Sequence, residues 1–128
     1  RMAGASYTTQ WLADCLRGQK LATVEGAIAH MTDVPARFFG LVERGRIAEG
    51  WHADLVVFNP ETVGAGEFLL KHDLPGDSPR LYADAFGIDR VYVNGTCTIV
   101  DGQPVGSLPG SVLRSGTDTE TVSIPADA

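Results

Sequence analysis

Two histidine and aspartate pairs in this sequence have the residue types needed to bind a metal or to move a proton. His52 and Asp54 lie two residues apart, just before an apolar run. If both were in an extended strand, their side chains would point to the same face, as two ligands would. Aspartate at the entrance of a strand also commonly accepts hydrogen bonds from turn amides. We expect this second, structural role for Asp54.

The adjacent residues His72 and Asp73 are the better functional candidates. They fall in a polar, glycine-containing segment that reads as a loop, and binding residues concentrate in loops. A structural role is favoured even there. We expect the carboxylate of Asp73 to accept hydrogen bonds from the backbone of the turn formed by residues 74–76.

No motif in the sequence indicates a complete catalytic or metal site. Catalytic zinc takes about three protein ligands, yet the histidines are isolated, with no His-x-His, HExxH or CxxC spacing, and only folding could gather them. His30 reads as a solvated or capping side chain. Cys15 and Cys97 have no signature of an activated thiol, and no G-x-S-x-G motif occurs. Gly64-Ala65-Gly66 lacks the G-K-[ST] of a phosphate-binding loop. We therefore expect no catalytic, cofactor-binding or metal-ligating residues.

Composition indicates one soluble globular domain. The chain has 128 residues, of which 44% are apolar and 20% are charged. Its net charge is −6 and no cluster of basic residues reverses it, so nucleic acid is not an expected partner. No apolar run approaches the ~20 residues that span a bilayer, and we expect no membrane association. The two distant cysteines predict buried free thiols and a reducing, cytoplasmic location.

Helices are predicted in the first third of the chain. Tyr7 to Leu16 repeat apolar residues at helical spacing, and Gly18 is a stop signal. A second helix begins at Thr23, whose hydroxyl is expected to cap the first turn. Its apolar stripe is Val24, Ala27, Ile28 and Met31. A third helix follows Thr32-Asp33, ends near Gly40, and is expected to bury Phe38, Phe39 and Leu41.

The period changes to that of strands after Arg46. Short strands are predicted around Ile47 and over Asp54–Phe58. Asn94-Gly95, between residues 90–93 and 96–100, is the preferred two-residue hairpin turn, and Asp101-Gly102 marks a further turn. Residues 62–80 read as a long loop. Helices followed by strands predict an α+β fold, either as a self-sufficient domain or as the end of a longer protein.

Two stretches resemble the amidohydrolase superfamily. Residues 46–58, RIAEGWHADLVVF, resemble the signature at which these chains leave the barrel and re-enter a small β-sandwich, and residues 90–95, RVYVNG, resemble its partner strand. Residues 31–41, 71–88 and 108–122 further resemble the C-terminal part of D-aminoacylases, the N-acyl-D-amino-acid deacylases. The resemblance runs from about Tyr7 to Val122.

The resemblance implies a division of the chain within a longer enzyme. Residues 1–43 would be closing helices of a (β/α)₈ barrel, residues 44–106 strands of the β-sandwich, and residues 107–128 an extended or partly disordered tail. The enzyme would use zinc to hydrolyse linear N-acyl-D-amino acids to a carboxylate and a D-amino acid. Its metal ligands match no position here, so this chain alone is expected to be inactive. The apolar stripe would contact the barrel and favour self-association without it.

Two other functions stay open from the sequence. One is a self-standing β-rich binding or oligomerisation module, which the acidic surface and the hairpin permit. The other is a related amidohydrolase chemistry in the longer enzyme, such as opening of a cyclic amide or deamination. An upstream coding sequence with a His-x-His motif would favour an enzyme, whereas a reading frame that starts at Met2 would favour the module.

Overall fold

Residues 6–123 are described by the computed structural model, and they form a helical half followed by a half of antiparallel strands. The helices are α1 (Tyr7–Leu16), α2 (Val24–Met31) and α3 (Asp33–Phe38). The strands are β1 (Leu55–Phe58), β2 (Gly64–Ala65), β3 (Leu69–Leu74), β4 (Ser78–Tyr82), β5 (Ala85–Phe86), β6 (Ile88–Val93), β7 (Thr96–Val100) and β8 (Gln103–Pro104). The predicted α+β class is confirmed.

The helix boundaries follow the signals in the sequence. The backbone N–H of Gly26 donates to the hydroxyl of Thr23 at 3.1 Å, which is the predicted N-terminal cap of α2. At the end of α1, the N–H of Gly18 returns to the carbonyl of Ala13 at 3.1 Å. The longest helix, α1, has only 10 residues. None of the helices within residues 6–123 combines the length and the hydropathy needed to cross a bilayer.

The hydrophobic core lies where α1 and α2 meet the chain around β2. Leu12 and Cys15 from α1 pack there with Ala27 from α2 and with Val63, which is fully buried. The partly buried residues around this cluster are Trp11, Leu16, Ala22, Ile28, Met31, Phe58 and Ile88. Most of the stripe expected to face a barrel is therefore packed within the chain, because α2 needs this face to bind α1.

A four-stranded antiparallel sheet, in the order β1-β6-β7-β8, forms the main body of the second half. The turn between β6 and β7 is Asn94-Gly95, with φ angles of 47° and 77°. Asp101 and Gly102 adopt similar angles, 48° and 75°, between β7 and β8. Both turns were predicted, since these residue types accept positive φ and match the twist of the flanking strands.

The prediction of a loop over residues 62–80 is wrong. This stretch contains β2, β3 and most of β4; β2 pairs with β5, and β3 pairs with β4 as a separate hairpin closed by residues 75–77. We call residues 69–82 the arm. All of β3 is exposed, and its sequence lacks the apolar–polar alternation that is typical of a half-buried strand. Cross-strand contacts stabilise the arm instead, including Leu69 opposite Tyr82 and the ion pair of Asp73 with Arg80.

Three smaller predictions also fail. Ile47 lies in an irregular segment that pairs with no strand, and it is 89% exposed. Asp54 precedes β1 instead of belonging to it. Phe38 and Phe39 are 72% and 65% exposed and stack edge to face on each other, with ring centroids 5.1 Å apart. Their helix is too short to bury both them and Ala36, which is the residue that faces inward.

Residues 107–123 contain no helix or named strand. They are nevertheless attached to the rest of the chain, because Thr119 forms an isolated antiparallel bridge with Leu41. Residues 1–5 and 124–128, which the predictions also cover, lie outside the described part. The boundaries of the domains stay predictions.

Substitution of the core residue Leu12 tests this packing. We expect Leu12→Ala to lower the free energy of unfolding by about 2–5 kcal/mol, because the change leaves a cavity between α1, α2 and Val63. Leu108→Ala is the matched control, since Leu108 is 96% exposed, and it should change stability by less than about 0.5 kcal/mol. Urea denaturation of the two variants measures both values. Equal effects would contradict this assignment of the core.

Candidate functional site

Asp54 joins the start of β1 to the turn between β6 and β7. Its Oδ1 atom accepts a hydrogen bond from the backbone N–H of Asn94 at 2.8 Å. The N–H of Gly95 donates to the carbonyl of Ala53 at 2.9 Å, beside the first bond. The expected capping of turn amides by Asp54 is confirmed. The turn that it caps is 40 residues away in sequence, which no local pattern could have indicated.

Arg44 completes this connection and was not singled out in the sequence. Its guanidinium forms an ion pair with the Oδ2 atom of Asp54 and donates from Nη2 to the side-chain oxygen of Asn94 at 3.2 Å. The Arg44 side chain is only 12% exposed. The amide nitrogen of Asn94 in turn donates to the carbonyl of Pro109 at 2.9 Å. We call Arg44, Asp54 and Asn94 the turn network.

His52 lies next to the turn network, and its side chain forms no hydrogen bond with another residue within 6–123. Its backbone N–H donates to the carbonyl of Glu43 at 3.1 Å. The side chain lines a cavity of about 280 Å³ whose other walls are Val42, Arg44, Ser111, Leu113, Thr117 and Asp118. His52 and Asp54 therefore take different environments. They do not form a paired acid–base or ligand site.

The carboxylate of Asp73 pairs with Arg80 on the opposite strand of the arm. We had expected it to accept hydrogen bonds from the neighbouring turn. Arg80 donates to its two carboxylate oxygens at 2.6 and 2.7 Å, and Lys71 lies 3.8 Å away. This bidentate pair lowers the pKa of the Asp73 carboxyl, chiefly through the hydrogen bonds from Arg80, and raises that of Arg80. The expected turn role was wrong because β3 directs the carboxylate toward the partner strand.

The remaining candidates are separated from one another. His72 contacts the carbonyl of Asp77 through Nδ1 at 3.0 Å, and His30 contacts the carbonyl of Gly26 at 2.8 Å as an exposed helical side chain. Cys15 is buried, as predicted, whereas Cys97 is only partly buried; both are free thiols. Gly64 belongs to β2, whereas Gly66 lies just after this strand.

A second cluster of charges, missed in the sequence, lies at the start of α3. Arg46 donates to both oxygens of Asp33, at 2.6 and 3.1 Å, and Arg37 lies 2.9 Å from the same carboxylate. These contacts, led by the hydrogen bonds from Arg46, lower the pKa of Asp33. Asp33 also lies in the first helical turn, where a negative charge is favourable. Its two arginine contacts give it a structural role.

A metal ion finds no donor set in the part of the chain that the structure describes. No group of three or more His, Cys, Asp or Glu residues within 6–123 is arranged to hold one. Three carboxylates are already paired with an arginine: those of Asp33, Asp54 and Asp73. The described residues therefore do not fit the zinc site that the sequence resemblance implies for a longer enzyme.

Comparison with known proteins identifies the family of this chain. Residues 2–105 match the model of the Amidohydrolase family. The chain belongs to this family. Among its relatives from Alcaligenes xylosoxydans xylosoxydans, an N-acyl-D-glutamate deacylase is 42% identical over 83% of the chain, an N-acyl-D-aspartate deacylase 38% over 84%, and a D-aminoacylase 39% over 73%. The predicted resemblance to D-aminoacylases is confirmed.

Solved structures give the same result for the amidohydrolase fold. A D-aminoacylase crystal structure superposes with a TM-score of 0.60 at 32% identity, covering 78% of this chain. A D-aminoacylase with a binuclear metal centre superposes equally well, with a TM-score of 0.60 at 35% identity. The chain covers 19% of each of these structures and 20% of the N-acyl-D-glutamate deacylase. It thus spans about a fifth of its relatives.

Asp54 is expected to matter to folding far more than His52. Asp54→Ala removes the acceptor of the Asn94 amide and the counter-charge of Arg44, so we expect a loss of about 1–3 kcal/mol in unfolding free energy. His52→Ala is the neighbouring control, with an expected change of less than about 0.5 kcal/mol. Chemical denaturation at pH 7 measures both. A larger effect at His52 would contradict the structural role of the turn network.

The ion pair of Asp73 and Arg80 should make stability depend on pH in the acid range. Because the pKa of folded Asp73 lies below its ordinary value of 3.8, the pair stabilises the folded state above about pH 4. This contribution is lost as pH falls through the folded pKa. Asp73→Asn should therefore be less stable than the original chain at pH 7, and the difference in stability should shrink as pH falls below about 4. Asp101→Asn, at an exposed turn, controls for the change in net charge. Parallel pH profiles of the unfolding free energy for the original chain and Asp73→Asn would refute the prediction.

Proposed function

We propose that this chain is the C-terminal, non-catalytic structural part of a metal-dependent hydrolase of N-acyl-D-amino acids. The observation that carries the proposal is its similarity to three deacylases, of which it spans about a fifth. The family match over residues 2–105 supports the same assignment. The described residues contribute packing and ion pairs, and no group of side chains among them is suited to hold a metal.

The proposal divides the chain at the segment that follows α3. The three helices would close the barrel of the longer enzyme, and the four-stranded sheet would complete its small β-sandwich. Zinc, which the sequence resemblance implies, belongs to the proposed enzyme as a whole and would be held by residues outside those described. The activity on N-acyl-D-amino acids likewise belongs to the longer protein, and this chain alone would be inactive.

Exposed aromatic side chains on the helical half support a large intramolecular contact. Phe38 and Phe39 at the end of α3 and Tyr7 at the start of α1 expose most of their surface. Phe38 and Phe39 stack on each other and form one exposed apolar patch, and such patches mark sites of association. Under this proposal they pack against the rest of the enzyme. The contact thus lies on α3 and the outer side of α1, since Ala27 is enclosed within the chain.

A chimera tests the structural assignment. In the N-acyl-D-glutamate deacylase relative, the matching segment is replaced by this chain, and release of D-glutamate from N-acetyl-D-glutamate is measured. We expect the chimera to retain activity, because the substituted part would only support the barrel. Deletion of the segment should abolish activity, and the 128-residue chain alone should have none at any zinc concentration.

The outcomes separate this function from the alternatives. Hydrolysis by the purified chain alone would refute the non-catalytic role. A chimera as inactive as the deletion would favour a self-standing module, whose stable oligomer would be detected by sedimentation. The related chemistries are tested on a longer protein that carries this chain, by comparing N-acyl-D-amino acids with cyclic imides and with amine-bearing substrates for deamination.

A further inference from the structure

Residues 109–120 cross from the sheet to the helical half and are fastened at both ends. At the sheet, the carbonyl of Pro109 accepts a hydrogen bond from the side chain of Asn94 at 2.9 Å. At the helices, the N–H of Glu120 donates to the carbonyl of Gly40 at 2.8 Å, and Thr119 bridges to Leu41. We call residues 109–120 the clasp.

Burial within the clasp is confined to its attachment points. Pro109, Asp118 and Thr119 are partly buried, and every other residue from 107 to 123 is exposed. Val112, between the two ends, is 82% exposed. A local turn shapes the middle, where the N–H of Arg114 donates to the carboxylate of Asp118 at 2.7 Å. The clasp is therefore held by a few hydrogen bonds and very little apolar contact.

The backbone at Gly40 is adapted to the far end of the clasp. Gly40 has a φ of +64°, and a Cβ atom there would overlap the carbonyl oxygen of Glu120. Only glycine lets the two backbones approach this closely. A side chain at position 40 is thus disfavoured both by the left-handed backbone there and by the approach of the clasp.

The middle of the clasp covers the turn network. Ser111, Leu113, Thr117 and Asp118 form one wall of the cavity of about 280 Å³ that Arg44 and His52 line from below. The side chain of Arg44, which is 12% exposed, thus shares this cavity with residues of the clasp.

We propose that residues 109–120 are a releasable clasp, which couples the helical half to the sheet and opens as a unit before either half unfolds. Segments with few buried apolar contacts and exposed hydrogen bonds open at a lower free energy than the core. The core around Leu12 and Val63 does not involve the clasp. Opening therefore uncovers the Arg44 cavity while the sheet and the helices stay folded.

Substitution at Glu120 tests the far attachment directly. Glu120→Pro removes the N–H that donates to Gly40, whereas Glu120→Ala keeps it and controls for loss of the side chain. Trypsin cleavage after Arg114, an exposed residue inside the clasp, reports opening in the 128-residue chain. We expect roughly five-fold faster cleavage in Glu120→Pro than in Glu120→Ala, the factor that follows from one lost hydrogen bond, with the urea midpoints of the two variants nearly equal.

A glycine pair provides a second, independent comparison. Gly40→Ala and Gly50→Ala both place a side chain at positive φ, +64° and +81°, but a Cβ at Gly50 meets no atom within 4 Å. Faster cleavage after Arg114 in Gly40→Ala alone supports the clasp. Equal cleavage within both pairs would overturn the proposal. The proposal would also be overturned if the variants that are cleaved faster had lower urea midpoints, because the clasp would then unfold together with the rest of the chain.

Discussion

One guanidinium group holds together parts of the chain that are distant in sequence. Arg44 pairs with Asp54 at the entrance of β1 and with Asn94 at the β6–β7 turn. It is nearly buried, so the loss of either partner would leave a poorly solvated charge. The main sheet begins at β1 and turns back at Asn94, and both points depend on this network. The aspartate that looks catalytic in the sequence is therefore a structural acceptor.

A second arginine joins the helices to the segment between β1 and β2. Arg17, at the end of α1, donates to the backbone carbonyls of Pro60 and Val63. These carbonyls lie in the segment between β1 and β2, directly above the core. Positive charge near a helix C-terminus is also favourable to the helix dipole. The two halves of the chain thus meet through a small apolar core, and Arg17 adds hydrogen bonds at its edge through the carbonyl of Val63.

Local signals predicted the parts of the fold that depend on nearby residues. The Thr23 cap and the Asn94-Gly95 turn were read correctly because their chemistry is contained within a few positions. The arm was missed because β3 is exposed along its whole length and is held by its contacts with β4, including the ion pair of Asp73 with Arg80, and not by a buried face. Arg44 and Arg46 gave no signal, since their partners lie 10 and 13 residues away. For the site, residue types identified Asp54 and Asp73 as structural, but only the coordinates supplied their partners.

The arm leaves and re-enters the body of the molecule at one narrow place. Gly64 and Ala65 pair with Phe86 and Ala85, and the buried residues Val63 and Ala83 lie beside this base. The pairing of β2 with β5 involves neither β3 nor β4, the two strands that extend from this base. Insertions or deletions within the arm can therefore accumulate without moving the sheet or the core. In this chain the arm is thus the segment whose change in length would disturb the core least, because none of its residues belongs to the core cluster.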